Sequence, residues 1–286
     1  MKKIKRGWAL SKKSWNLLNQ HRELIRFPLY GAFATIPLAF VFLGPGLYFL
    51  DDGAVAGAIP LLVIGFYVLS VVSTFFAVGL AATADMIFRG EQATVGAGLA
   101  VARSRFSQIC GWAALATAIG VFMGALENQG GIAGTIAARL VGMAWSLITF
   151  IAVPVIAIEG TGAFATLKRS AGLFRERWGQ QITGNLAIGG AVFLLGMLPS
   201  AILIAIGIAV WASAGFVGAL LVVLGVIGFA VSMLISNALS GIFGVALYRY
   251  ALDGEVKGGF TAEELESAVK AKGGRNAPPT ATPGTV

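Results

Sequence analysis

Six long apolar runs separated by polar breaks organise the chain, at about 28–50, 58–82, 109–126, 139–158, 183–210 and 214–247. A helix needs about 20 apolar residues to cross a hydrocarbon core of about 30 Å, and the runs meet or approach that length. The third is the shortest and is Gly-rich. The breaks alternate in character. Asp51-Asp52-Gly53, Glu127-Asn128-Gln129-Gly130-Gly131 and Ala212-Ser213-Ala214-Gly215 carry almost no basic charge. Residues 1–26, 89–108, 163–181 and the tail from Arg249 are long and basic.

That alternation predicts topology. All but Arg139 of the 21 Lys and Arg fall on one set of breaks. Basic residues stay on the cytoplasmic side, so both termini belong in the cytoplasm and the number of spans is even. The expected fold class is all-α: a polytopic membrane bundle of about six transmembrane helices in the cytoplasmic (inner) membrane. The basic N-terminal stretch holds Trp8, Trp15 and Glu23 and precedes a run too long for a signal sequence, so it reads as a retained segment.

The basic breaks are themselves patterned. Val95, Leu99, Ala102 and Phe106 recur at helical spacing, as do Phe164, Leu167, Ala171, Phe174 and Trp178, with Trp8, Trp15, Leu18 and Ile25 forming a looser third stripe. Cations lie beside these stripes: Lys12 and Lys13, Arg103 and Arg105, and Lys168, Arg169, Arg175 and Arg177. Helices of this kind lie in the interface, rings towards lipid and cations towards anionic headgroups. Laying Ala93-Thr94-Val95 on Ala165-Thr166-Leu167 also superposes Arg103-x-Arg105-Phe106-x-Gln108 on Arg175-x-Arg177-Trp178-x-Gln180. Lys12-Lys13-Ser14 falls likewise on Lys168-Arg169-Ser170. The chain therefore reads as three repeats, each a basic interfacial helix followed by a two-span hairpin, at about 8–88, 91–158 and 163–250. Together they make a membrane domain over 1–252. The tail 253–286 starts with a short helix at about 261–272, N-capped by Thr261 with an acidic first turn, and continues into a Pro-rich stretch that cannot bury a core.

Composition agrees with the pattern. Only 12% of residues are charged and 57% are hydrophobic, with a mean hydropathy of +0.83, whereas soluble domains carry about 25% charged residues. The net charge of +8 does not indicate nucleic acid, because its placement beside the apolar runs points to lipid headgroups. One cysteine, Cys110, and one histidine, His21, exclude a disulfide framework, multi-His or Cys-rich metal sites and most His-based triads. Gly96-x-Gly98 follows no strand and no P-loop is present. No cofactor, metal or catalytic residue is expected.

Three polar side chains fall inside apolar runs. Asp85 and Glu159 lie near the cytoplasmic ends of the second and fourth spans, where an ionisable group is costly and marks either function or an ion pair, such as Arg89 for Asp85. Asn237 lies well inside the sixth span, where an interhelical hydrogen bond contributes about 0.6–2 kcal/mol. Pro37, Pro45, Pro154 and Pro199 interrupt spans, which kinks helices and can line cavities. Gly53/Gly57, Gly120/Gly124, Gly130/Gly134 and Ser236/Ser240 have the spacing of close helix packing, and Trp112, Trp145 and Trp211 that of an interfacial belt.

Several short motifs resemble a bacterial family of six-span integral membrane proteins known only as a domain of unknown function. They are Lys13-Ser14-Trp15, Phe27-Pro28-Leu29, Trp145 leading to Val153-Pro154-Val155 and Glu159, Lys168-Arg169-Ser170, Arg177-Trp178-Gly179, and Asn237 through Tyr248-Arg249-Tyr250-Ala251. More distantly, the plan is similar to the membrane domain attached to some glycerophosphodiester phosphodiesterases. The resemblance implies the fold and supplies no catalytic residue.

The expectation is a non-enzymatic integral membrane protein that organises, contacts lipid or binds a partner. Its partners are membrane lipids, with anionic headgroups on the cytoplasmic side and room for a protein partner or a second copy. The alternative is a transporter or channel for a small solute or lipid, with a path near Pro154, Glu159 and Asn237.

Overall fold

The computed structural model describes residues 15–16, 18–129, 131–178, 196–211, 213–254, 256, 260–262 and 265. Every regular element among them is helical. A single turn, Arg22–Ile25, leads into α1 (Arg26–Asp51), and α2 (Val55–Phe88) returns beside it. There follow α3 (Val95–Ser104), α4 (Phe106–Gln129), α5 (Gly131–Thr149), α6 (Ala152–Glu159), α7 (Ala163–Trp178), α8 (Leu198–Val210) and α9 (Gly215–Asp253).

Four of these helices are long and apolar enough to cross a membrane: the turn plus α1, then α2, α4 and α9. α2 and α9, at 34 and 39 residues, run about 51 and 58 Å and overreach a hydrocarbon core at one or both ends. The flanks of α1 and α9 are bare: Phe40 and Phe216 are 77% and 84% exposed, an apolar surface of the kind found at membrane or protein contacts.

Of the six expected spans, one is divided and another lies partly outside the described residues. The run 139–158 is divided between α5 and α6. Pro154 has no N–H and its ring crowds the carbonyl four residues back, at Phe150, and the helix breaks there. The break orphans carbonyls, and Ser170 of α7, fully buried, donates its hydroxyl to the Ile148 carbonyl. Of the run 183–210, only the part from 196 is described, and α8 is 13 residues long. Pro37 and Pro45 sit inside an unbroken α1.

Packing is concentrated at the end of the bundle where α2, α6 and α9 terminate. Val78, Ala81, Ala84, Val155, Ile156, Ile242, Val245 and Leu247 are fully buried there. α3 lies tightly against α2: a Cβ on Gly98 would sit 2.6 Å from the Gly79 carbonyl and 2.8 Å from Phe27 Cζ. Thr94 caps α3, accepting from the Ala97 N–H at 3.1 Å. α8 and α9 approach through Gly207, Gly218 and Gly225. The glycines of the expected packing pairs Gly53/Gly57 and Gly120/Gly124 face open space. Trp112 is a core residue rather than part of a belt, 5% exposed and stacked on Trp145 at 5.7 Å.

The basic helices also differ from expectation in register. The segment 89–108 is two helices, with Phe106 opening α4. On α7 the buried face is Thr166, Ser170, Leu173 and Phe174, so Phe174 turns inward from the expected stripe, while Phe164 of the same stripe is 76% exposed as a lipid-facing ring would be. Partners for Arg169 and Ser170 on the preceding elements draw that face inward. The start of the tail is docked: Phe260 and Leu265 are buried, and the Phe260 ring packs edge-on against Phe243 at 5.7 Å. The expected disorder beyond 272 lies outside the described residues.

Candidate functional site

Two features stand out at the well-packed end of the bundle. One is a pair of carboxylates closed by neighbouring residues of a single helix. Asp85, near the C-terminus of α2, is 4% exposed. It receives both arms of Arg249 from α9, Nε on Oδ1 at 2.7 Å and Nη2 on Oδ2 at 2.9 Å. Arg89, one turn further along α2, adds Nε at 3.2 Å from the outer side. Such forked, charge-assisted pairing fixes orientation as well as charge.

Glu159 ends α6. The next residue, Gly160, adopts a left-handed conformation (φ +67°) and its N–H closes on the Ile156 and Val155 carbonyls. Glu159 Oε1 accepts from Arg169 Nε and from the Tyr248 hydroxyl, each at 2.9 Å. The hydrogen bond that Arg169 donates to Glu159 raises the Arg169 pKa above the usual arginine value. Tyr248 and Arg249 are adjacent, so one short piece of α9 grips the ends of both α2 and α6. Arg249 and Tyr248 did not emerge from the sequence as partners; Arg249 read as the first residue of a basic tail. Arg89, the partner expected for Asp85, is the second one.

The cations expected to meet lipid divide into groups. Arg103, Lys168 and Arg175 are exposed. Arg169 is committed to Glu159. Arg105 is half-buried: its guanidinium lies against Gly160, where any Cβ would overlap it, and its Nε is buried without a hydrogen bond among the described residues. Lys12, Lys13 and the Arg177 side chain lie outside the described residues.

The second feature is a groove of about 680 Å³ bounded by α1, α2, the α5–α6 break and α9. Pro154 and Asn237 both line it, together with Thr35, Ser73 and Ser240 among mostly apolar walls. Glu159 does not line it. Thr35 donates to the Gly31 carbonyl at 2.8 Å. The interhelical hydrogen bond expected of Asn237 is not made: its carboxamide, like the hydroxyls of Ser73 and Ser240, has no hydrogen bond among the described residues. No charged residue lines the groove. Among the described residues no three His, Cys, Asp or Glu gather as metal ligands would.

No curated protein matches the chain. The motifs from Trp145 to Ala251 fall within the stretch matched by a family model, and Lys13-Ser14-Trp15 and Phe27-Pro28-Leu29 precede it. That match takes in both carboxylates, their partners on α9 and the α2, α6 and α9 walls of the groove, and by it the chain belongs to a family of unknown function (DUF6159), matched over residues 55–260.

Proposed function

We propose that the chain is a non-enzymatic, six-span protein of the cytoplasmic membrane, with both termini cytoplasmic, that holds anionic lipid against its basic end. Six crossings follow if α5 with α6 makes the fourth and the run 183–210 the fifth. Three repeats of elbow helix and hairpin account for the matching motifs at the ends of α3 and α7, Arg103-x-Arg105-Phe106 and Arg175-x-Arg177-Trp178. The observation that carries the reading is that Arg103, Lys168 and Arg175 are exposed on the short helices packed around the end where the two carboxylates are already neutralised. Among the described residues their charge has no acidic partner of its own, which leaves it available to headgroups.

Each cation near an anionic leaflet contributes about 1 kcal/mol, so replacing Arg103, Lys168 and Arg175 together by Gln should weaken binding of phosphatidylglycerol by about 3 kcal/mol. Native mass spectrometry of protein released from nanodiscs reads this directly. Arg169 is left intact, because its loss would unpair Glu159 and confuse lipid contact with folding. Unchanged phosphatidylglycerol retention in the triple variant would overturn the reading.

Transport is the second reading, supported by Pro154 and Asn237 sharing one groove. Glu159 takes no part in that groove, so solute flux in liposomes should depend on Asn237 and not on Glu159→Gln. Flux lost on Glu159→Gln with folding intact would contradict this arrangement.

A further inference from the structure

The groove between α1, α2, α6 and α9 sets two chemical conditions on an occupant. On α9 it extends from Ala230 to Gly244, about 21 Å of helix, or roughly the depth of one leaflet, headgroups included, of a bilayer about 40–45 Å thick. Its volume, about 680 Å³, lies within the range of about 300–1,000 Å³ typical of small-molecule sites. Leu29, Phe33, Ile36 and Met233 form its rim and are exposed on the outer flank of the bundle. An occupant therefore enters sideways from hydrocarbon, given the membrane placement proposed above, on which this inference rests.

The first condition is an uncharged head. No lining residue bears a charge, so a phosphate or ammonium drawn to this depth would lose its hydration with nothing in exchange. The second is a hydrogen-bonding head. Asn237 presents two donors and an acceptor oxygen. Ser240, three residues on, shares its face of α9, and Ser73 approaches from α2. None of the three has a partner among the described residues. In hydrocarbon an unmatched amide is costly, and a bare alkyl chain would leave it unmatched.

The geometry points to a neutral, single-headed lipid as the occupant: a long hydrocarbon tail ending in one hydroxyl or carbonyl group, of the fatty-alcohol class. Its head hydrogen-bonds to Asn237 and Ser240, and its tail lies along the apolar walls of α1 and α9. A phospholipid of the surrounding bilayer, with its charged phosphate, meets the second condition and fails the first.

The test uses the full chain in phosphatidylcholine nanodiscs with a diazirine-tagged hexadecanol as probe. Light-induced labelling should concentrate on the peptides carrying Phe33 and Met233 and be displaced by untagged hexadecanol. Asn237→Leu should lower labelling at subsaturating probe by about three- to tenfold, the worth of a hydrogen bond. Its thermal midpoint should hold or rise, since an unpartnered amide has been exchanged for an apolar group. Ala77→Phe, which fills the groove and leaves Asn237 in place, should abolish labelling.

Any of the following outcomes overturns the inference. One is labelling spread evenly over the outer helices and indifferent to Asn237. Another is equal labelling by a tagged phosphocholine lipid. The third is a lower thermal midpoint for Asn237→Leu with labelling unchanged, which would make the amide a structural bond. If the wild-type chain takes no label yet keeps its phosphatidylglycerol, this inference fails and the proposed function stands.

Discussion

Replacing Arg249 by Gln tests whether α9 holds the bundle end together. The substitution removes the two bonds, 2.7 and 2.9 Å long, that α9 makes to Asp85. It leaves a carboxylate that is 4% exposed. Removing one partner from a buried ion pair costs about 3–5 kcal/mol, most of it from the charge left behind. Arg89 remains at 3.2 Å with a side chain 46% exposed, so the lower end, about 3 kcal/mol, is expected. Asp85→Asn should be milder, about 1–2 kcal/mol. The amide oxygen still accepts one bond, and the freed arginine can extend its head towards the polar surface. Combining the two should cost less than their sum, by about 1–3 kcal/mol of coupling. Equilibrium unfolding by SDS in mixed micelles measures all three, with each variant's helicity checked beforehand. If Arg249→Gln falls within about 0.5 kcal/mol of wild type, or the two changes add, the pair is not holding the fold and the reasoning is wrong.

The remaining predictions concern the contacts of α3 and α7. Gly98→Val should destabilise by about 1–3 kcal/mol through overpacking, because its Cβ has Gly79, Thr83 and Phe27 in its way. Gly96→Ala on the same helix meets only Thr94 Oγ1 at 3.9 Å and should stabilise by up to about 1 kcal/mol; thermal scans in detergent give both signs side by side. Ser170→Ala should cost about 1–3 kcal/mol by orphaning the Ile148 carbonyl at the α5–α6 break, and hydrogen exchange should quicken there and not in α2.

The apolar runs and the alternation of basic breaks made the long helices legible, because lipid exposure needs nothing more specific than length and hydropathy. Pro154 likewise announced a break, though not that Ser170 would cover it. The partners of Asp85 and Glu159 were illegible for a different reason. Arg89 lies one turn from Asp85 and is a neighbour in any helix, whereas Arg249 lies 164 residues away. Only the three-dimensional meeting of α2 with α9 selects it over the other arginines. The stripe on α7 misled because periodicity finds an apolar face and not its direction. The buried face includes Thr166 and Ser170, polar residues that read as outward until their acceptors, Thr161 and Ile148, are known. Asn237 was visible as an anomaly, and its lack of a partner was not.

The two carboxylates also set an order of events in synthesis. Asp85 leaves the ribosome long before Arg249, and Glu159 emerges 89 residues ahead of Tyr248. Until the last helix is made, Asp85 lacks the fork of Arg249 and Glu159, already paired with Arg169, lacks the Tyr248 hydroxyl. A chain cut short before Tyr248 would leave its buried acid to Arg89 alone. Quality-control proteases would have a clear mark by which to tell a finished bundle from an unfinished one.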